Sequence, residues 1–396
     1  MHQLVNRRDL FRSSTGILAL PLAAFAESHP PGSLRFRVEE TAGLRRFGYP
    51  VHLVLDRLPT AFAEKAESLV LMRDGKPVRS QIRSEAGATG LIHVLDFAAS
   101  PGPLETEEYE LIPGEPTPAP KGGVNIQQRD GVYRVTSGGS LHYDVPEDFS
   151  RLLRSVGNAN KEYIAETGQG AGGLSLLDAS GKPLEIAPLT GSPLYQGPFA
   201  CALRFTGGGK GTKAIASDIR LHFPSSKSWV EAEVAIHDPS NQVRSIQLAL
   251  SLKLEGAPTL VDLGANDTVY GHLKGTEVMS LAQSPGKPWK VEMGAAGSPK
   301  TFAVSVGDAK IRAEGWAHVM DRQRCTAAAV AEFGQKHLDR IETHANGNLL
   351  IRRDFGDSAV ALKKLRFWFH FVPMPVQVGA VTSPQAMLAP LKTIWI

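Results

Sequence analysis

A chain of 396 residues, 42% hydrophobic and 21% charged, has the length for two or three domains and the balance of a soluble globular protein. A formal charge of +3 with no Lys/Arg-rich block gives no electrostatic case for nucleic acid. No stretch approaches the roughly 18 consecutive apolar residues of a membrane-spanning helix, so no span is expected in the mature chain.

In chain order, the first signal is "NRRDLFRSSTGILALPLAAFAESHP". Arg7 and Arg8 precede Leu10 and Phe11, an apolar stretch runs from Gly16 to Phe25, and Ala24-Phe25-Ala26 forms an A-x-A cleavage pattern. Residues 1–26 read as a twin-arginine export signal, which places the mature protein in the periplasm or outside the cell. Losing three Arg and one Asp leaves it at about +1. In that oxidising compartment Cys201 and Cys325 either pair or stay as buried thiols.

Residues 33–113 alternate short apolar runs with turn residues, as expected of a small β-barrel-like domain. Asp74-Gly75, between "LVLM" and "KPV", is a hairpin signal because a type I′ turn needs positive φ at both central residues. The Pro/Gly-rich stretch 114–123 reads as a linker. Residues 124–396 continue as short strands separated by Gly, Pro or Asp, the pattern of one large antiparallel β-sandwich with little helix. Two stretches, 146–164 and 321–341, carry possible helical spacing. No repeat of fixed period is visible, which disfavours a propeller or solenoid.

The clearest strand is "SWVEAEVAIHD". Val230, Ala232, Val234 and Ile236 form an apolar face; Trp229, Glu231, Glu233 and His237 lie on the other. The preceding strand sets Ile219, Leu221 and Phe223 against Arg220 and His222. In "LRFWFHFVP", Phe367, Phe369 and Phe371 face one way and Trp368 and His370 the other. His370 is either a satisfied histidine under a covering loop or part of an aromatic–imidazole pair. "GWAHVMD" repeats the Trp-x-His spacing at Trp316 and His318, and "TVYGHLKG" puts Tyr270, His272 and Lys274 at i, i+2, i+4. A half-buried sheet with one wet face accounts for many such residues. Trp together with Glu, His and Arg also suits a face where sugar rings stack and hydroxyls are hydrogen-bonded.

No G-x-S-x-G elbow, dinucleotide fingerprint, H-E-x-x-H or Cys/His zinc spacing is present. No cofactor or metal is predicted. Ca²⁺ stays open, because carboxylates are abundant without any loop signature.

"YPVHLVLDRLPTAFAEKAESLVLMRDGKPVRSQI" resembles the small barrel that opens exo-rhamnogalacturonan lyase-like proteins. Asp74, Gly75, Lys76, Pro77, Val78 and Gln81 match its hairpin motif. From "GVYRVTSGG" onward the chain resembles the galactose-mutarotase-like supersandwich that follows in those proteins, and "GWAHVMDRQRCTAAAVAEFGQKHLDRI" is similar to a strand–helix passage near its end. The resemblance implies a carbohydrate partner and β-elimination on an acidic or pectin-type glycan. Those lyases continue into an (α/α) toroid that is missing from this sequence, and no catalytic residue carries over by motif.

Elimination needs a base, an acid and a cation beside the substrate carboxylate. His272 or His318 is the expected base and Tyr270 the acid. Arg220 or Lys274 would neutralise the carboxylate, and Trp229, Trp316 or Trp368 would stack on the sugar. Glu231, Glu233, His237 and His370 complete the expected substrate-binding set. Two further readings stand beside this one: a glycan-binding scaffold without turnover, and a mutarotase or epimerase using His237 with Glu231 or Glu233.

Overall fold

In the computed structural model, residues 33–396 are described apart from 60–61, 63–65, 88–89, 116–122, 138–140, 159, 166–172, 209–213, 256–258, 359 and 374–382. The expected export signal and most of the 114–123 linker lie outside the described residues.

The two ends of the described chain build one small unit. Its first sheet runs in the order Lys392–Trp395, Leu34–Glu39, Thr106–Pro113, Leu69–Arg73, Lys76–Val78. The second runs Tyr49–Val54, Gly90–Ala99, Ser80–Gly87. The expected hairpin is present: Asp74 and Gly75 have φ of 50° and 69°, and Arg73 pairs with Lys76. The strand Lys392–Trp395 completes this unit from the far end of the sequence, pairing Trp395 with Phe36. The short helix Ser383–Leu388 leads into it. Arg46, buried against Glu40 at 2.9 Å, holds the end of that helix by donating to the carbonyls of Ala386 and Ala389.

The larger unit is a two-layer β structure, and the expected all-β, antiparallel architecture with little helix is what the chain adopts. A nine-stranded sheet runs Thr190–Gln196, Ala200–Gly208, Ala216–Pro224, Trp229–His237, Leu362–Pro373, Arg324–Val330, Trp316–Met320, Thr259–Gly264, Thr268–Leu273. A seven-stranded sheet centred on Asn348–Asp354 and Leu338–His344 packs on its inner face, and a five-stranded sheet containing Leu141–Pro146 closes one side. Phe367, Phe369, Phe371, Ile219, Leu221, Phe223 and the alternate residues Val230 to Ile236 all enter this core, opposite Ile246, Leu248 and Leu250. Period-2 alternation was legible here because only one face of each strand enters the main core.

Neither stretch with helical spacing is a helix. Within 321–341 the chain forms the strand Arg324–Val330, buried at every position. Ala328 enters the main core, while Ala329 packs beneath the small unit. A strand covered on both faces loses its alternation, so its apolar run mimicked a helix. Residues 146–164 form turns and the short strands Ser155–Asn158 and Lys161–Glu162. Cys201 and Cys325 are separate buried thiols, both pushed upward by burial.

Candidate functional site

On the outer face of the nine-stranded sheet, alternate residues fall into cross-strand rows. One reads Tyr270, Asp262, His318, Ala327, His370, Trp229. The next reads Gly264, Trp316, Ala329, Trp368, Glu231, His222. A third carries Arg366, Glu233, Arg220 and Arg204, and a fourth Lys364, Ala235, Asp218 and Thr206.

The small unit covers most of the first two rows. Trp229, Trp316 and Trp368 are 3–5% exposed and join a second apolar core with Tyr49, Leu53, Leu95 and Met387. Their stacking partner is the small unit, with Tyr49 edge-on to Trp229 at 5.9 Å, and no sugar reaches them in this arrangement. His370 bonds Ser228 Oγ through Nε2 at 2.8 Å and stands edge-on to Trp229. Burial, helped by Lys227 and His318, pushes it down to about 3, so it is neutral. The cover over this row is the two small sheets rather than a loop. His318 is also buried, its Nδ1 held by Asp262 Oδ1 at 2.8 Å and its ring against Trp316. That is the usual arrangement of a satisfied core histidine.

Tyr270, His272 and Lys274 are exposed on the last strand of the sheet and just after it; Tyr270 is 71% exposed. Arg220 lies six strands away, about 29 Å at the usual spacing between strands. The expected base, acid and carboxylate-neutralising arginine therefore do not converge on one sugar.

What stays open is the far part of the same face. A depression of about 840 Å³ is lined by Arg204, Asp218, Arg220, Glu233, His237, Lys364 and Arg366 among others. Arg204 forks onto Asp218 at 2.9 and 3.0 Å, and these hydrogen bonds and charges hold the Asp218 carboxyl below its usual range against the opposing effect of burial. Arg366 donates to Glu231 at 2.6 Å and lies 3.8 Å from Glu233. Glu231 is committed further, accepting from Trp368 Nε1 at 3.0 Å. Four cationic side chains against the two lining carboxylates, with Glu231 just beyond them on Arg366, leave the depression net positive. Of the residues singled out from sequence, it gathers Arg220, Glu233 and His237.

Beyond the lining of the depression, two residues along the strand from Arg220, a polar seam joins the sheet to the small unit at His222, and sequence reading did not assemble it. Across the three-stranded sheet, His52, Asp96 and Gln81 form one row. Asp96, 1% exposed, accepts from His52 Nδ1 at 2.6 Å, Arg83 at 2.6 Å and Gln81 at 3.1 Å. Gln81 reaches across to accept from the Phe199 amide at 3.2 Å. Arg83 lies 3.7 Å over the ring of Tyr195, whose hydroxyl meets His222 Nδ1 at 3.2 Å. A register shift between Pro193 and Tyr195 sets Tyr195, rather than Leu194, opposite Ala202 on the outer face. Burial pushes His222 down to about 4 despite the opposing pull of Glu233, so its imidazole is neutral at pH 7. The signals for His52, Asp96 and His222 were polar residues inside largely apolar strands, but the seam joins strands of both units. Among the described residues no group of three or more His, Cys, Asp or Glu is placed to hold a metal ion.

No family model and no curated protein matches the sequence. Solved structures do match in fold. A protein in glycosyl hydrolase family 38 from Enterococcus faecalis aligns with TM-score 0.58 and 10% identity over 93% of this chain and 48% of its own. An alpha-mannosidase from Enterococcus faecalis V583 aligns with TM-score 0.57 and 10% identity, over 93% of this chain and 46% of its own. A galactose mutarotase related enzyme from Lactobacillus acidophilus aligns with TM-score 0.35 and 8% identity, over 63% of this chain and 97% of its own. The chain spans about half the length of the first two, and at such identities the shared feature is the fold.

Proposed function

We propose that this is an exported, periplasmic or secreted carbohydrate-handling protein that takes an acidic glycan in the open depression of its nine-stranded sheet. The observation carrying this reading is the charge of that depression: Arg204, Arg220, Lys364 and Arg366 outnumber Asp218 and Glu233 on a face with room for a sugar. The sandwich folds of the glycosyl hydrolase family 38 protein and the alpha-mannosidase support a carbohydrate rather than another polyanion. The finer reading is a lyase-like enzyme that cleaves a pectin-type chain by β-elimination, with Arg220 beside the substrate carboxylate.

Titration calorimetry with tetragalacturonate and with a neutral mannotetraose tests the substrate class. The acidic oligomer should bind and the neutral one should bind far more weakly. Arg220→Ala and Lys364→Ala should each weaken the acidic oligomer about tenfold or more, since a hydrogen bond to a charged group contributes about 1.5–3 kcal/mol. Equal affinity for the two oligomers, or none for either, removes the reading.

A glycan-binding role without turnover is favoured by one observation: Arg204 and Arg366 are already paired with Asp218 and Glu231. Absorbance of an unsaturated product separates it from the lyase. The isomerase reading lacks its pair. Glu231 is engaged by Arg366 and Trp368, and His237 stands four strand positions from Glu233, about 13 Å along the backbone.

A further inference from the structure

Beyond the Arg220 side of the depression, and outside its lining, stand two imidazoles, each fixed from behind. On the Ala216–Pro224 strand, His222 lies two residues beyond Arg220 on the same face, about 7 Å from the lining of the depression. Tyr195 holds its Nδ1 and Asp96 holds the Nδ1 of His52. Nε2 of each ring has no hydrogen-bond partner among the described residues. Charge on His52 or on Arg220 disfavours charge on His222, which puts the two rings and the arginine within one electrostatic neighbourhood. Other groups facing His222 are Glu233, Glu231 across the strand pair and Arg83 over Tyr195. Asp96 is almost wholly buried and spends its oxygens on His52, Arg83 and Gln81, so its arrangement is costly unless those partners are held for a purpose or for the seam itself.

We infer that His52 and His222 are the proton-transferring pair for the acidic glycan, with the chemistry carried by the seam between the two units and not by Tyr270, His272 or His318. The inference rests on the reading of the depression as an acidic-glycan site. Nε2 of neutral His222 takes the proton α to the substrate carboxylate, while Arg220 balances the charge that spreads onto it. The C–H electron pair becomes the new carbon–carbon double bond, and the C–O bond to the leaving sugar breaks. The leaving oxygen takes the proton that His52 carries at Nε2 beside the Asp96 carboxylate. The cycle leaves a proton on His222 and takes one from His52, and solvent exchanges both back. Tyr195 and Asp96 act as positioning residues, holding each ring by the nitrogen that does not react.

The test measures binding and turnover separately on His222→Gln, His52→Gln and Tyr195→Phe, using tetragalacturonate for calorimetry and polygalacturonate for product absorbance. Both glutamine variants should bind within about threefold of the parent and lose turnover by about a hundredfold or more. Tyr195→Phe should keep partial turnover with a shifted pH profile, a change that a merely structural tyrosine would not produce. His52 is partly exposed, so its variant should fold even if His222→Gln does not. Undiminished turnover in His52→Gln overturns the inference while leaving the glycan reading intact, and so does tight binding by the parent protein without turnover. Failure of the parent to bind tetragalacturonate at all overturns the glycan reading and this inference with it.

Discussion

Gly264 shows how closely single residues are held beneath the small unit. A β-carbon there would lie 2.2 Å from the Trp316 indole, whose ring covers the glycine across the strand pair. Gly264→Ala should therefore displace a buried tryptophan and cost about 1–3 kcal/mol in urea denaturation; a variant as stable as the parent would show that the indole moves aside freely. His370 acts through charge instead. In the fold it is held at about 3, against 6.5 for the free side chain, so the unfolded chain takes up a proton first. Its contribution is complete above about pH 6.5 and is lost as pH falls from there toward 3, by at most ~1.4 kcal/mol per pH unit. His222 adds in the same sense down to about 4. Urea midpoints at pH 7 and pH 5 should differ less in His370→Gln than in the parent; an unchanged difference rules out His370 as a source.

At the level of elements, the strand Lys392–Trp395 shields one edge of the small sheet. Trp395 meets Phe36 edge-on at 5.6 Å and donates its indole N–H to Asp56 at 3.0 Å. Removing residues 392–396 exposes the edge of Leu34–Glu39, and amides of 34–39 and 106–113 should lose hydrogen-exchange protection while those of 348–354 keep it. Equal protection across both units in the shortened chain contradicts this. The elements also show why sequence reading succeeded in places and not in others. Phe367, Phe369 and Phe371 could be assigned to the core because their strand alternates. Arg324–Val330 could not, since a second cover erases the alternation. Tyr195 was out of reach for another reason: a one-residue register shift decides its face, and no local pattern announces such a shift.

For the whole molecule, the decisive fact is which rows of the nine-stranded sheet lie under the small unit. Alternation placed Trp229, Trp368, His370, Arg220 and Glu233 on one outer face, and that much was legible in the residues. Whether solvent, sugar or another domain meets that face depends on contacts between distant parts of the chain. The Trp-rich rows were covered and the Arg-rich rows left open. The closing strand adds a kinetic consequence. Asp56 and Trp395 are 339 positions apart, so the small unit gains its last edge strand only after nearly all of the intervening chain has been made. Such a contact raises the contact order of the unit that starts first along the chain. Until that strand is made, Leu34–Glu39 is left unpaired on one edge. The two units should thus reach their native state together, and the seam between them should be among the last contacts to form.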